Sequence, residues 1–433
     1  MARVKVDRAA ARIEASPATV QYMMDGVRHV CETFKNRLPG SQPERDAQAF
    51  FKGELEGFAD EVTMEDFTLH PHAFMGFIPM AAVFMLGTVA IYLFGGTSVL
   101  LALLGAALSV FSVLMFIFEF LFYREFVDFL FPKRVSRNVY AVRRAAGEVR
   151  RRVIFGGHTD AANEWTYSWL GEATALAIAM VGAILSMFIG LFAGIVNAVY
   201  VIAVNVTGGA PASRWEGGWL VWTIMLLCTI PFAFAIMKFI NYKIVVEGAN
   251  DNLSANYVAI AVLKEMAESG MRFENTEVGC LLTGSEEAGL RGARAYAKAH
   301  FAELNDPNIE TIFIGLETLR EIEEMRVNSI GCTGTVRNDK AVGELIRDAG
   351  RACGVEIPDT ELYPGAMDSE AWTQLGLRAN AFGGVSHEAK RYYHTRKDTP
   401  DNMDADCLAL SLNICKEAAR LFDKEGMAKY DAA

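Results

Sequence analysis

The chain has 433 residues, 52% of them hydrophobic and 21% charged, and its formal net charge is -11. This acidic balance disfavours a nucleic-acid partner, because nucleic acids select basic protein surfaces. The apolar share is high for a soluble enzyme, so the composition indicates membrane-spanning runs combined with an ordinary globular domain. The seven cysteines contain no CxxC pair, which argues against a zinc site made of cysteines.

The first polar segment, residues 1–72, includes RLPGSQPERDAQAFFKGELEGF, which predicts a loop followed by an amphipathic helix. Residues 73–123 then contain two apolar runs separated by the break Gly-Gly-Thr-Ser. Glu119 is the only charged residue in these two runs. Each run is long enough to cross a bilayer, so residues 73–123 predict a first transmembrane hairpin.

A second polar segment, residues 124–168, precedes a second apolar region at residues 169–241. This region holds an uncharged run at 173–206, a loop with Arg214 and Glu216, and a final apolar run. It predicts a second transmembrane hairpin, and hence four transmembrane helices in all. Buried helices of a large soluble core are the alternative, but uncharged runs of this length seldom occur in soluble folds.

Basic residues are concentrated in the polar segments, and the two hairpin tips carry almost none. The positive-inside rule therefore predicts a multi-pass protein of the cell membrane with its termini and polar segments in the cytoplasm. From residue 242 onward, short apolar strands alternate with helices, among them strands at 278–283 and 311–316 and a helix at 288–299. This alternation predicts an α/β fold with a mainly parallel mixed sheet sandwiched by helices, into which the four-helix transmembrane region is inserted.

Several polar side chains follow the predicted apolar strands. His158 and Asp160 end one such strand, and imidazole is the commonest zinc ligand type. Glu286 and Glu287 end another, where one glutamate can bind a metal and the other can move protons. Glu317 ends a third. Each signal is modest alone, since an acidic first helical turn or a strand-end charge also explains these carboxylates.

Two further candidates lie in loops. Asp251 precedes a helix, where a helix-capping turn is the alternative interpretation. His394 lies in a polar loop before the last helix, and an ordinary surface loop would explain it equally well. Taken together, the candidates supply imidazoles and carboxylates at the edge where open α/β sheets place ligands, and these are ligand types that zinc prefers.

With these motifs, the sequence resembles the co-catalytic di-zinc aminopeptidase family, which includes leucyl aminopeptidases and glutamate carboxypeptidase II. The matching pieces occur in the family's order and cover nearly the whole chain outside the apolar insertions. They are RLPGS, GGHTD, ANDNLSA, TGSEEAGLRGA, GLET and YYHTRKDTPDN. The resemblance implies a zinc-peptidase fold formed by residues 1–72, 124–168 and 242–433, with the hairpins at 73–123 and 169–241 as insertions.

The resemblance also implies two Zn²⁺ ions as cofactors and a role for each matching residue. One ion would be held by His158, Asp251 and Glu317. Asp251 would bridge to the second ion, which Glu287 and His394 would also hold. Glu286 would be the general acid/base and Asp160 would support His158. The peptide bond between Asp251 and Asn252 is expected to be cis.

Three features depart from the family pattern. The family usually has Asp where this chain has Glu317, and its soluble members lack the first hairpin. The stretch between the HxD motif, His158 to Asp160 in this chain, and the bridging Asp251 is usually short, whereas here it contains the second hairpin.

Because His158 and Asp251 must meet at one centre, the chain between them must cross the membrane an even number of times. The segment around Asp368 matches a substrate-side loop poorly and receives no role.

The expected function is that of a membrane-anchored zinc-dependent aminopeptidase. Carboxypeptidase or dipeptidase activity on the same core is the nearest alternative, followed by a catalytically inactive membrane receptor or scaffold. A glutaminyl cyclase is disfavoured by the complete two-metal ligand set, and a transporter by the presence of only one charged residue, Glu119, within the spans. The expected partners are the lipid bilayer and peptide substrates, hydrophobic or membrane-derived. The sequence leaves open whether the protein forms a homo-oligomer.

Overall fold

A computed structural model describes residues 5–331, 333–360, 365–386 and 392–432. The chain divides into two compact units. Unit 1 contains residues 1–71, 133–164 and 242–433, and unit 2 contains residues 72–132 and 165–241. These units are defined by packing, so the predicted division into a catalytic domain and two hairpins remains a prediction.

The described residues of the chain form nine strands. These are β1 (Glu61–Leu69), β2 (Arg134–Arg143), β3 (Arg151–His158), β4 (Asn163–Trp165), β5 (Ile240–Val245), β6 (Thr276–Thr283), β7 (Glu310–Leu319), β8 (Met325–Val327) and β9 (Ala379–Gly384). The described residues form fourteen α-helices. These are α1 (Pro17–Thr33), α2 (Gln42–Leu55), α3 (Ala73–Phe94), α4 (Val99–Met115), α5 (Thr166–Leu170), α6 (Ala173–Thr207), α7 (Gly217–Met237), α8 (Ser254–Glu268), α9 (Arg291–Ala299), α10 (Phe301–Leu304), α11 (Lys340–Ala352), α12 (Asp368–Thr373), α13 (Ala405–Glu425) and α14 (Ala428–Asp431).

Unit 1 is built on a seven-stranded sheet in the order β1-β2-β6-β3-β7-β9-β8. Its four central strands, β6, β3, β7 and β9, run parallel, and the three outer strands are antiparallel to their neighbours. Strands β3 and β6 are buried along almost their whole length, as strands covered on both faces require. The predicted α/β fold with a mainly parallel mixed sheet between helices is confirmed.

The core of unit 1 joins helices to the sheet. Buried side chains of α1, α2, α8 and α13 pack in one cluster with those of the central strands. Ser16 and Ser41 cap helices α1 and α2, because their side chains accept backbone hydrogen bonds from the first helical turn. Each helix also has a proline at one of its first two positions. Two further helices pack on the same sheet, α9 against β2 and α12 against β7 and β9.

Unit 2 contains the four apolar helices α3, α4, α6 and α7, each long and apolar enough to cross a membrane; the second continues from α4 through a π-helical turn to Leu121. Only 22–39% of the most apolar 18-residue window of each helix is buried, and incomplete burial of apolar helices is typical of helices that face lipid. Polar contacts also join the helices. The Thr88 hydroxyl on α3 donates to the Gly105 carbonyl of α4 at 3.1 Å, and Tyr92 donates to the Trp219 carbonyl of α7 at 3.2 Å.

The polar stretch after the first hairpin packs within unit 2. The buried carboxylate of Glu119 accepts the backbone amides of Phe126 and Val127, both at 2.7 Å. The Phe126 ring packs on Phe111 and Phe118. These contacts account for the single charged residue in the first hairpin, because its carboxylate satisfies two backbone donors of the turn that follows.

Candidate functional site

The site begins at the carboxyl ends of three parallel strands. His158 is the last residue of β3 and pairs in register with Thr283, the last residue of β6. Glu317 lies near the end of β7 and pairs with Gly383 of β9. Because parallel strands end at the same edge of a sheet, the residues that follow β3, β6 and β7 meet there.

A first group of candidate metal ligands consists of His158, Asp251 and Glu317. One nitrogen or oxygen from each residue lies within 4.8 Å of the others. The Nε2 atom of His158 lies 3.2 Å from Asp251 Oδ1 and 3.8 Å from Glu317 Oε1. All three residues are buried. The carboxylate of Glu317, which stands where the resembled family usually has aspartate, therefore belongs to this group.

A second group consists of Asp251, Glu287 and His394, again within 4.8 Å of one another. The Nε2 atom of His394 lies 3.0 Å from Asp251 Oδ2 and 3.2 Å from Glu287 Oε1. Asp251 belongs to both groups, with one oxygen toward each histidine. Its peptide bond to Asn252 is cis, as predicted. This arrangement brings all five predicted metal ligands together.

Glu286 lies beside the first group, with its Oε2 atom 3.8 Å from His158 Nε2. Its side chain keeps 11% exposure, which leaves the carboxyl accessible from the mouth of the site. Burial raises the pKa of Glu286 well above its usual range; His158 opposes this shift, and the Glu287 carboxylate adds to it. A carboxyl with a raised pKa can accept and release a proton near neutral pH.

Asp160 supports the site in two ways. Its Oδ1 atom lies 3.3 Å from His158 Nδ1, as the predicted support of that ring requires. Its two oxygens also accept the backbone amides of Glu286 and Glu287, each at 3.0 Å. The HxD motif therefore contributes to the position of the glutamates as well as to that of the histidine.

Neighbouring side chains hold the carboxylates of the site. The amide nitrogen of Asn252 donates to Glu317 Oε2 at 3.1 Å, and the Thr318 hydroxyl donates to Glu317 Oε1 at 2.9 Å. The buried carboxylate of Asp398 accepts the backbone amides of Asn250 at 2.7 Å and Asp251 at 3.1 Å. Burial raises the pKa of Asp398 to about 7.

The sequence assigned no role to three buried charged residues around the site. Asp368 accepts a hydrogen bond from the Thr283 hydroxyl, and its charge raises the pKa of Glu286. Arg37 donates to the carbonyls of Thr159 at 3.1 Å and Glu247 at 2.5 Å, which joins the loops of His158 and Asp251. Glu44 contacts the turn that carries Glu286. Arg37 is the first residue of the RLPGS motif, and this motif is the sequence signal for the segment that holds Arg37 and Glu44.

The donor set suits a divalent cation. Five carboxylates and two imidazoles meet in a buried space, namely Asp160, Asp251, Glu286, Glu287, Glu317, His158 and His394. The Asp251 Oδ2 atom is buried, and His394 Nε2 lies 3.0 Å from it. Although burial lowers the pKa of His394, the carboxylates of Glu287 and Asp251 raise it to about 10. This excess of negative charge is typical of a site that holds a metal ion.

The sheet, with histidines and carboxylates at the carboxyl ends of its strands, gives an α/β fold with a candidate metal site. Residues 236–419 of this chain match the model of Peptidase family M28. The matched segment supplies Asp251, Glu286, Glu287, Glu317 and His394. No curated protein sequence matches the chain.

Solved structures share the fold at low sequence identity. A zinc aminopeptidase from Bacillus subtilis is 12% identical with a TM-score of 0.53, over 94% of this chain and 96% of that one. The aminopeptidase from Aneurinibacillus sp. strain AM-1 is 14% identical with a TM-score of 0.50, over 95% and 94%. The glutaminyl cyclase from Fimbriiglobus ruber is 13% identical with a TM-score of 0.52, over 96% and 99%. These likenesses show the fold alone.

Proposed function

We propose that the protein is a membrane-bound, zinc-dependent exopeptidase that acts as an aminopeptidase. The observation that carries this proposal is the sharing of Asp251 between two ligand groups, each with one histidine and one glutamate. His158, Asp251 and Glu317 would hold one zinc ion, and Asp251, Glu287 and His394 a second. Zinc bound there would polarise the scissile carbonyl and acidify the attacking water.

The residues of the chain supply the proton transfers. Glu286 would take a proton from the attacking water and pass it to the leaving amine as the peptide bond breaks. Its raised pKa suits this second task, since a protonated carboxyl must be available to donate. Asp160 keeps the backbone of Glu286 in place during both steps, because its oxygens accept the amides of residues 286 and 287.

The test is an assay with amino-acid fluorogenic substrates in the presence of zinc or of a chelator. We expect zinc-dependent release of the fluorophore that the chelator abolishes and added zinc restores. Peptides blocked at the N-terminus should resist cleavage, whereas peptides blocked at the C-terminus should be cleaved. Cleavage of N-blocked peptides alone would replace the aminopeptidase with a carboxypeptidase on the same core.

Glutaminyl cyclisation is a second candidate, because glutaminyl cyclases share the fold. Such an enzyme would release ammonia from an N-terminal glutamine without hydrolysing the peptide bond. The presence of two complete ligand groups favours the peptidase. Incubating a peptide with N-terminal glutamine separates the two: ammonia and a cyclised peptide indicate the cyclase, and free glutamine indicates the peptidase.

We further propose that the four apolar helices cross the membrane and that the catalytic unit lies in the cytoplasm. The exposed Lys133 and Arg134 follow the first hairpin, and Lys238 and Lys243 close the second. At the tip of the second hairpin, Arg214 is covered by the rings of three aromatic residues, namely Tyr92, Tyr200 and Trp219. Glu216 in the same loop offsets the charge of Arg214.

Substrates are proposed to be hydrophobic or membrane-derived peptides, because the second of the two apolar insertions interrupts the chain between segments that carry the candidate ligands. The buried Glu164 immediately precedes unit 2 and binds the guanidinium of Arg396, two residues after His394, through two hydrogen bonds of 2.7 Å. Reconstituted protein should therefore cleave membrane-inserted peptides faster than soluble dipeptides of the same N-terminal residue. Equal rates would contradict this substrate class.

A further inference from the structure

The motif RLPGS is followed by Glu44, a fully buried carboxylate of helix α2. Its Oε2 atom accepts the backbone amide of Gly40 at 2.7 Å. Its Oε1 atom accepts the backbone amide of Ser285 at 2.7 Å and the Ser285 hydroxyl at 3.0 Å. Glu44 thus connects a segment remote in sequence to the residue directly before Glu286.

The backbone amides at the start of the turn that carries Glu286 are bound by side chains of other segments. Four successive backbone amides donate to such side chains: residue 284 to Asn138 at 3.0 Å, residue 285 to Glu44, and residues 286 and 287 to Asp160. Ser285 has a φ of 56°, in the left-handed region that disfavours side chains. The turn therefore depends on external carboxylates for its conformation.

We propose that Glu44 is a positioning residue that sets the direction of Glu286 and Glu287 through the Ser285 amide. This inference rests on the proposed function, in which Glu286 moves protons and Glu287 binds zinc. Loss of the Glu44 contact would free the Ser285 amide, while Asn138 would still hold the amide before it and Asp160 the two amides after it. The two glutamates would then keep their approximate place and lose their exact orientation.

The bond pattern explains why a carboxylate is needed at this position. Both oxygens of Glu44 face N–H donors, so the amide nitrogen of a glutamine would oppose a donor whichever way the side chain turned. A simple helix cap would not need this arrangement. The Ser41 hydroxyl already accepts the Glu44 amide at 3.3 Å as the cap of α2, and the Glu44 carboxylate reaches past it to Gly40 and Ser285.

The experiment compares Glu44→Gln with Glu54→Gln in the full-length protein. Glu54 is a matched control, since it lies on the same helix and its carboxylate also accepts two hydrogen bonds, from Tyr22 at 2.6 Å and Tyr257 at 3.1 Å. For each variant, the melting temperature, the zinc affinity, kcat at saturating zinc and KM are measured. Ser285→Ala is the second variant, which removes the hydroxyl contact and keeps the amide.

We expect Glu44→Gln to weaken zinc binding and lower kcat, each by about 10- to 100-fold, the usual effect of losing a group that orients a metal site. KM should stay within a factor of about three, since substrate binding does not use Glu44. Glu54→Gln should change the melting temperature and leave zinc affinity and kcat near wild type. Ser285→Ala should show a smaller fall in kcat, and it decides the question if Glu44→Gln does not fold.

Wild-type zinc affinity and kcat in folded Glu44→Gln would overturn the inference, as would equal losses in Glu54→Gln. Should the wild-type protein bind zinc and cleave no peptide, the proposed function would fail. The zinc affinities of the two variants would still test the role of Glu44.

Discussion

Asp251 has a central place among the residues of the site, since its two oxygens face different histidines. The distances are 3.2 Å to His158 Nε2 and 3.0 Å to His394 Nε2. Hydrogen bonds from its backbone amide to Asp398 and from Asn252 to Glu317 fix the loop on both sides. These hydrogen bonds hold the backbone of Asp251, and its carboxylate is thereby kept between the two groups of candidate ligands.

Glu286→Gln should separate metal binding from turnover. The amide keeps the size of the side chain but cannot take a proton from water, so kcat should fall by about 10²- to 10⁴-fold. Zinc content should remain at the wild-type level, because Glu286 is not a proposed ligand. The exposed Glu148 offers a control, and Glu148→Gln should match wild type. Full activity in Glu286→Gln would remove the proposed role of this residue.

The sequence indicates the candidate site residues because they follow strands or lie in motifs, and the family resemblance supplies the roles expected of them. Their convergence in space follows from the sheet, whose parallel strands end at one edge. Glu44 could not be found this way. The pattern Ser41-Gln-Pro-Glu44 has the form of a capping box, which explains a glutamate at this position by local helix chemistry alone. Its contact with Ser285 depends on the tertiary fold.

Among the elements, the connection from strand β6 to helix α9 differs most from the sequence expectation. A helix was predicted over residues 288–299, but α9 begins at Arg291. Gly289 and Leu290 both have positive φ, and residues 286–288 form a short 3-10 turn. This irregular connection carries Glu286 and Glu287, and it places both carboxylates at the site.

Gly292→Ala should destabilise this connection. A Cβ atom at Gly292 would lie 2.0 Å from the Gly284 carbonyl oxygen, a backbone atom that cannot move aside without shifting the turn. We expect a loss of roughly 1–3 kcal/mol in the free energy of unfolding. Gly53→Ala on helix α2 is the control, since nothing lies within 4 Å of its Cβ position. Thermal unfolding should show Gly53→Ala at or above wild-type stability; equal stability of both variants would contradict the packing argument.

At the scale of the whole molecule, the path of the chain between His158 and Asp251 constrains the membrane arrangement. These residues lie 3.2 Å apart within unit 1, although the chain between them contains α6 and α7. Helix α6 is a single helix of 35 residues, as its long uncharged run predicts. Two apolar helices give an even number of crossings, which lets both residues stay on one side of a bilayer. Which side of the membrane these two residues occupy is predicted only by the positive-inside rule.

Cysteine labelling in intact cells tests the proposed orientation. Cys228 is exposed and Cys332 lies outside the described residues, so both are first replaced by serine. A membrane-impermeant maleimide should then label Thr97→Cys and Ala210→Cys at the hairpin tips. Glu356→Cys, on the exposed surface of unit 1, should react only after the cells are permeabilised. The reverse pattern would place the catalytic unit outside the cytoplasm.

The most direct test of the account is the ratio of zinc to protein after saturation with zinc and removal of the unbound metal. The account predicts two zinc ions per chain for the wild-type protein and fewer than one for Asp251→Ala, because that side chain is the only one shared by both groups of ligands. A folded wild-type protein that retains no zinc, or an Asp251→Ala variant that retains as much as wild type, would contradict it.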